Sequence, residues 1–228
     1  MNLSTILIGL LVLNLLILIH ELGHFLAARA VGMATPEFSV GMGPRLFSFS
    51  LGGTAFILRL VPLAGYVLLP DLANEEGHSN VSALRRTAAM LAGPLFNLLF
   101  AMVLVGPGQA LTLLAHWFAS MAELFAGSDA QLSGLVGMSD AVGKAVLTGW
   151  PYFSILTAYL SINFCIFNLL PFPGLDGGRL IGLLVEWLSG GRRPRWEPAA
   201  QGIGLLVVVG AGLWLAGQEI LRAIGWIS

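Results

Sequence analysis

Four long apolar runs dominate the chain, at about residues 3–30, 87–105, 150–170 and 199–220. Each approaches or exceeds the roughly 20 residues that a helix needs to cross the hydrocarbon core. The connection between the first two runs has a different pattern. Glu37–Val40, Leu46–Ser50 and Thr54–Leu60 are short and β-prone, and Gly52-Gly53 between the last two is a hairpin signal. Pro62, Gly65 and Pro70 then break the chain, so the apolar stretch Leu60–Leu69 is expected to be a loop. Such a loop can dip into a membrane only where protein or water satisfies its backbone. In the connection between the second and third runs, Leu111, Leu114, Phe118, Met121 and Phe125 recur at helical spacing. This predicts one amphipathic helix over 109–126, lying on the outer membrane surface or packed on the bundle. It is the one ordered piece expected there.

Composition agrees with the runs. Of 228 residues, 57% are apolar and 10% charged, and the mean hydropathy is +0.85. Soluble domains carry about 25% charged residues, so the chain is too poor in charge to cover a water-facing surface. An ordinary soluble enzyme, a disordered chain and a nucleic-acid binder are excluded. The expected fold is an all-α polytopic membrane protein in one domain, residues 1–228, with about four spans and a small membrane-associated β-loop region at 37–69. The net charge of −1 implies no electrostatic partner, and one cysteine, Cys165, cannot form an internal disulfide. Met1–Ser4 has no basic residue and the first run is long, so it reads as a retained helix rather than a signal peptide.

Lys and Arg placement sets orientation. Arg45, Arg59, Arg85 and Arg86 lie in the first connection, and Arg192, Arg193 and Arg195 in the third. Lys144 alone lies in the second, and Arg222 alone in the tails. Both termini are therefore expected outside the cytoplasm. The Arg residues read as topology signals. Trp117, Trp150, Trp187, Trp196 and Trp226 read as an aromatic belt, and Cys165 as a small core residue.

The chemistry sits in His20-Glu21-Leu22-Gly23-His24. Positions i and i+4 share a helix face, so the two imidazoles converge on one metal ion. The intervening Glu21 can act as general base on a metal-activated water. An ionisable residue inside a membrane costs about 2.5–3.5 kcal/mol or more, so packing alone does not account for three of them. With Leu3 at the outer edge, His20 lies about 26 Å along the helix at 1.5 Å per residue, nearer the cytoplasmic face. A catalytic zinc needs a third protein ligand. Asp176 is the candidate: it follows Pro171 and Pro173, which end the third run, and precedes Gly177-Gly178, which permit close backbone approach. The competing reading of Asp176 is a helix N-cap. His78 and His116 read as surface residues.

His20–His24 and the run Asn168-Leu-Leu-Pro-Phe-Pro-Gly-Leu-Asp-Gly-Gly178 together resemble the site-2 protease family of intramembrane zinc metalloproteases. Leu91-Ala-Gly-Pro-Leu-Phe-Asn97 resembles the second-span motif of its bacterial members, and Leu60–Val67 resembles their re-entrant β-loop; Gly41–Pro44 also fits. The nearest subgroup is the regulator-of-sigma-E protease type, found in the bacterial inner membrane. The resemblance implies one Zn2+ held by His20, His24 and Asp176, with Glu21 as general base and proton donor. It also implies a role for Asn168 in substrate positioning or oxyanion stabilisation. The implied activity is endopeptidic cleavage in or near the transmembrane segment of a membrane-protein substrate, within the bilayer. Thr54–Leu60 is expected to offer an edge to the extended substrate. The chain departs from the family between spans two and three, where about 45 residues leave no room for a PDZ domain. The competing functional class is a non-proteolytic membrane binding protein that retains the metalloprotease fold.

Overall fold

The computed structural model describes residues 3–73, 81–125, 135–191, 194, 196–223 and 226. In chain order the elements are α1 (Leu3–Ala30), β1 (Glu37–Leu51), β2 (Thr54–Leu68), α2 (Pro70–Ala73), α3 (Ala83–Val105), α4 (Pro107–Phe125), α5 (Leu135–Thr148), α6 (Trp150–Leu169), α7 (Asp176–Leu188) and α8 (Glu197–Ala223). Among the described residues, α1, α3, α6 and α8 are the helices long and apolar enough to cross a membrane. A helix satisfies its own backbone within one segment, which hydrocarbon demands. The chain is thus a multi-pass membrane protein, mostly helical, with a small sheet after α1. Tertiary contacts divide it into two units.

One unit comprises Asn14–Asn97 and Cys165–Val207. Its sheet is built from two long, bent strands. Phe47–Leu51 pairs with Thr54–Leu58 across the Gly52-Gly53 turn, where φ is +58° and +81°. Glu37–Val40 pairs with Gly65–Leu68 on one side and lies beside Ala55–Leu58 on the other. Gly41 and Gly43, at φ +88° and +82°, let β1 bend between its two halves. The structure corrects two expectations here. Leu60–Leu68 continues β2 instead of forming a loop, because Glu37–Val40 supplies partners for its backbone. Ala55–Leu58 is paired on both sides, by Phe47–Ser50 and by Glu37–Val40, so the outer segments are Phe47–Leu51 and Gly65–Leu68 instead.

The sheet packs on the second half of α1 through Phe25, Phe38 and Phe56, whose ring centroids lie 5.4–5.7 Å apart. A core of Ala28, Met33, Leu69, Leu72, Val81, Ala89, Met90 and Leu183 joins α1, α2, α3 and α7. Arg86, read as a topology signal, also has a partner inside the fold. It is buried on α3 and makes a two-bond ion pair with Glu186 of α7, Nη1 to Oε2 being 3.0 Å, and its Nε donates to the Val81 carbonyl at 3.2 Å. Two buried charges survive there because each neutralises the other. Arg85 is exposed.

The other unit comprises Met1–Leu13, Leu98–Phe164 and Val208–Ser228. Its helix α5 was not expected from the sequence pattern. Small residues let it lie directly on α1: a Cβ on Gly9 would collide with the Ser139 backbone, and one on Gly143 with the Thr5 backbone. Thr5 Oγ1 donates to Asp140 Oδ1 at 2.7 Å, and Lys144 Nζ lies 2.6 Å from Asp140 Oδ2. These bonds from Lys144 and Thr5 hold the Asp140 carboxyl below its ordinary range. The Gly137 N–H donates to Glu219 Oε2 at 3.1 Å, tying α5 to α8. The amphipathic helix expected over 109–126 is α4, and part of its apolar stripe faces away from the protein. Leu111 and Phe118 are exposed, while Ala110 and Trp117 are buried. Trp117 is thus no belt residue: its Nε1 donates to Asn163 Oδ1 of α6 at 2.8 Å. Trp150, Trp187, Trp196 and Trp226 are exposed. Cys165 is buried, and Arg192, Arg193 and Arg195 lie outside the described residues.

Candidate metal centre

His20 and His24 stand on consecutive turns of α1, both buried. Gly23 between them allows α3 to come close, since a Cβ there would lie 2.9 Å from the Phe96 ring and against the Ala92 carbonyl. Asp176 arrives from the other end of the chain as the first residue of α7, with Leu175 at the N-cap. The N-cap reading of Asp176 is therefore corrected. The turn that carries it is folded tightly on itself and on α8. Any Cβ on Gly177 would strike the Leu169 and Leu170 carbonyls, and one on Gly178 the Phe172 carbonyl. The Gly174 N–H donates to Gln201 Oε1 of α8 at 2.7 Å, and Gly204 of α8 abuts the Pro173 carbonyl.

The result is a cluster of three donor atoms. Asp176 Oδ2 lies 2.9 Å from His20 Nε2 and 3.0 Å from His24 Nε2, and the two Nε2 atoms are 3.1 Å apart. Among the described residues this is the group of three His, Cys, Asp or Glu side chains able to hold a metal ion. Its edges suit zinc: tetrahedral ligands at about 2.0–2.1 Å from the ion stand roughly 3.3 Å from one another. An ionised carboxylate with two imidazoles is a donor set that zinc accepts.

Helix α3 supports the cluster from behind. Ala89, Gly93 and Asn97 are four residues apart, so they share one face. His24 Nδ1 lies 2.9 Å from the Ala89 carbonyl, which can only accept, so Nδ1 carries a proton and Nε2 is the nitrogen turned to the cluster. A Cβ on Gly93 would lie 2.6 Å from His24 Cε1, so only glycine leaves room for the ring. Asn97, fully buried, brings its side-chain amide to 3.3 Å from His20 Nδ1.

Glu21 is half-buried on α1 beside the two histidines. The outer sheet segment comes close to it: a Cβ on Gly65 would lie 3.1 Å from Glu21 Cγ and 3.4 Å from Ile17 Cγ2. Asn168 is half-buried in the last turn of α6, just ahead of the turn that ends in Asp176. His116 is exposed on α4, and His78 lies outside the described residues. The motif Leu91–Asn97 is visible in the sequence, but nothing in the pattern assigns a role to Gly93, Asn97 or Gln201. The four-residue spacing of Ala89, Gly93 and Asn97, matching that of His20 and His24, was the available signal.

Comparison with known proteins places this geometry. The pattern of peptidase family M50 matches residues 8–211. A Fusobacterium nucleatum protein named "Putative zinc metalloprotease" is 24% identical, covering 90% of this chain and 95% of that protein. That alignment runs over 322 residues against 228 here, so part of the relative has no counterpart in this chain. A Clostridium acetobutylicum protein of the same description is 35% identical over 59% of this chain and 40% of its own length. One from Campylobacter jejuni is 41% identical over 41% of this chain and 28% of its own length. The family pattern covers the turns that bear His20, Glu21, His24 and Asp176, and the chain belongs to peptidase family M50.

Proposed function

We propose that this protein is a zinc-dependent intramembrane endopeptidase that cleaves a peptide bond in or near the transmembrane segment of another membrane protein. The observation that carries this reading is the convergence of His20 Nε2, His24 Nε2 and Asp176 Oδ2 within 2.9–3.1 Å of one another. Glu21, a possible base, stands on the same turn of α1. The names of the relatives, zinc metalloproteases, support the same ion. In this reading one Zn2+ binds the three ligands. When bound it supplies Lewis-acid chemistry, lowering the pKa of water and polarising the scissile carbonyl.

The protein's own groups do the rest. Glu21 takes a proton from the attacking water on a carboxylate oxygen and delivers it to the leaving amine, a transfer worth about 10²–10⁴-fold in rate. Asn168 steadies the substrate or the developing oxyanion from the end of α6. Hydrolysis needs an extended backbone, so the substrate segment must unwind. The outer segment Gly65–Leu68 is the suited place for strand addition, because its Gly65 approaches Glu21. Basic residues in the first and third connections support a bacterial inner-membrane topology with both termini outside the cytoplasm, and cleavage near the cytoplasmic face.

Glu21→Gln tests this directly. The variant is expected to retain zinc and to lose cleavage of a single-span substrate in detergent or vesicles by at least about 10²-fold. Undiminished cleavage by that variant would remove Glu21 from the mechanism. A wild type that binds zinc yet cuts none of a broad panel of single-span substrates would favour a binding protein that keeps the fold.

A further inference from the structure

We propose that Asn97 is a positioning residue for His20, its side-chain amide fixing which nitrogen of that ring faces the metal. The proposal rests on the metal-centre reading above and deepens it. Helix α3 serves both histidines through one face. Ala89 O receives the His24 Nδ1 proton at 2.9 Å, Gly93 makes room for the His24 ring, and Asn97 Nδ2 lies 3.3 Å from His20 Nδ1. The spacings match by construction: His20 and His24 are four residues apart on α1, and Ala89, Gly93 and Asn97 are four apart on α3. Two helices brought close through Gly23 and Gly93 can pair residue for residue in this way.

The chemistry follows from the ring. A histidine that binds a metal through Nε2 keeps its remaining proton on Nδ1 and needs an acceptor there. His24 has one in a backbone carbonyl. His20 meets a side chain instead, and an amide offers an oxygen and a nitrogen related by a half-turn. As placed, Nδ2 lies at His20 Nδ1, which would make Nδ1 the acceptor and leave the ring proton on Nε2; the half-turn that exchanges Nδ2 for Oδ1 is the one compatible with a metal at Nε2. A fully buried side chain within hydrogen-bond reach of a ligand ring, in a span otherwise apolar, is costly unless it is used. His20 is the ligand whose orientation rests on a side chain of α3, and a substitution can reach it.

The test measures metal affinity, not activity. Zinc binding by the full-length protein in detergent is titrated against a chelator of known affinity, for wild type, Asn97→Ala and Asn97→Asp. Asn97→Ala is expected to bind zinc about 10- to 100-fold more weakly. Asn97→Asp keeps an acceptor at the same reach and is expected to stay within a few-fold of wild type. The Co2+-loaded proteins add a second readout, because the visible ligand-field spectrum reports ligand geometry. It is expected to change in Asn97→Ala and to be preserved in Asn97→Asp. Should Asn97→Ala fail to fold, the Asn97→Asp arm decides alone: affinity reduced 10-fold or more there overturns the proposal. Wild-type affinity and an unaltered cobalt spectrum in folded Asn97→Ala also overturn it. A wild type that binds no zinc at all overturns instead the metal-centre reading, so the two failures are distinguishable.

Discussion

The two units use buried polar groups in opposite ways. In the unit of Asn14–Asn97 and Cys165–Val207, they are gathered. His20, His24 and Asp176 converge on a single point, with Asn97 behind them, and Arg86 and Glu186 neutralise each other nearby in the same fold. In the unit of Met1–Leu13, Leu98–Phe164 and Val208–Ser228, they are spread. Thr5 bonds Asp140, Trp117 bonds Asn163, and Glu219 accepts from Gly137, each tie joining one pair of helices. A spread of single bonds holds helices in register in an apolar medium. Three ionisable groups gathered at one buried point in an apolar medium are costly to keep there for packing alone, so gathering signals chemistry.

The sharpest way to break this contrast is to remove a gathered group. His20→Ala and Asp176→Ala are each expected to weaken zinc binding by more than the roughly 10- to 100-fold typical of supporting residues, as measured by metal content after purification and by chelator competition. Zinc retained at equal affinity in both variants would show the cluster to be structural. Crowding comes next. Gly93→Leu would push a side chain into the space of the His24 ring. It should depress zinc affinity while leaving helical content, read by circular dichroism, close to wild type.

Arg86 and Glu186 probe stability instead of metal. Arg86→Met leaves Glu186 buried and unpaired, which is expected to cost about 3–5 kcal/mol, read as a fall in thermal midpoint in detergent. The double variant Arg86→Met, Glu186→Met should recover most of that loss, since no buried charge remains. Failure of the second change to rescue the first would mean that the pair also fixes geometry. The smallest effect is expected in the other unit. Thr5→Val removes one bond to Asp140 and should cost about 1 kcal/mol, with zinc affinity unchanged. The bonds from Lys144 and Thr5 lower the Asp140 carboxyl on folding, so its contribution is full above the unfolded carboxylate value of about 3.9. It is lost as pH falls toward the folded value. The destabilisation by Asp140→Asn should therefore shrink as pH is lowered below 4, read from midpoints across a pH series.

Much of this molecule could be read without coordinates. Long apolar runs can satisfy their backbones only as helices in hydrocarbon, so α1, α3, α6 and α8 follow from hydropathy, their ends shifting by a few residues where polar side chains continue the helix into water. The spacing in His20–His24 is a helix-face property, and so the convergence of two imidazoles was legible too. Helix α5 was not, because glycine, serine and alanine against a neighbouring backbone leave only a weak periodic signal. The burial of Trp117 on α4 was not legible for a related reason: Asn163, which draws it inward, is 46 residues away, and periodicity does not see it. Only the tertiary structure decided that Gly65–Leu68 lies at one edge of the sheet and Ala55–Leu58 inside it, since the two are equally β-prone until Glu37–Val40 lies between them. It also decided the pairing of Arg86 with Glu186 and the service of Ala89, Gly93 and Asn97 to the histidines. The sequence by itself determined what depends on neighbours along one helix or on the solvent around it. Contacts between residues far apart in the chain depend on how helices pack, and that packing is fixed by shapes that no single segment carries.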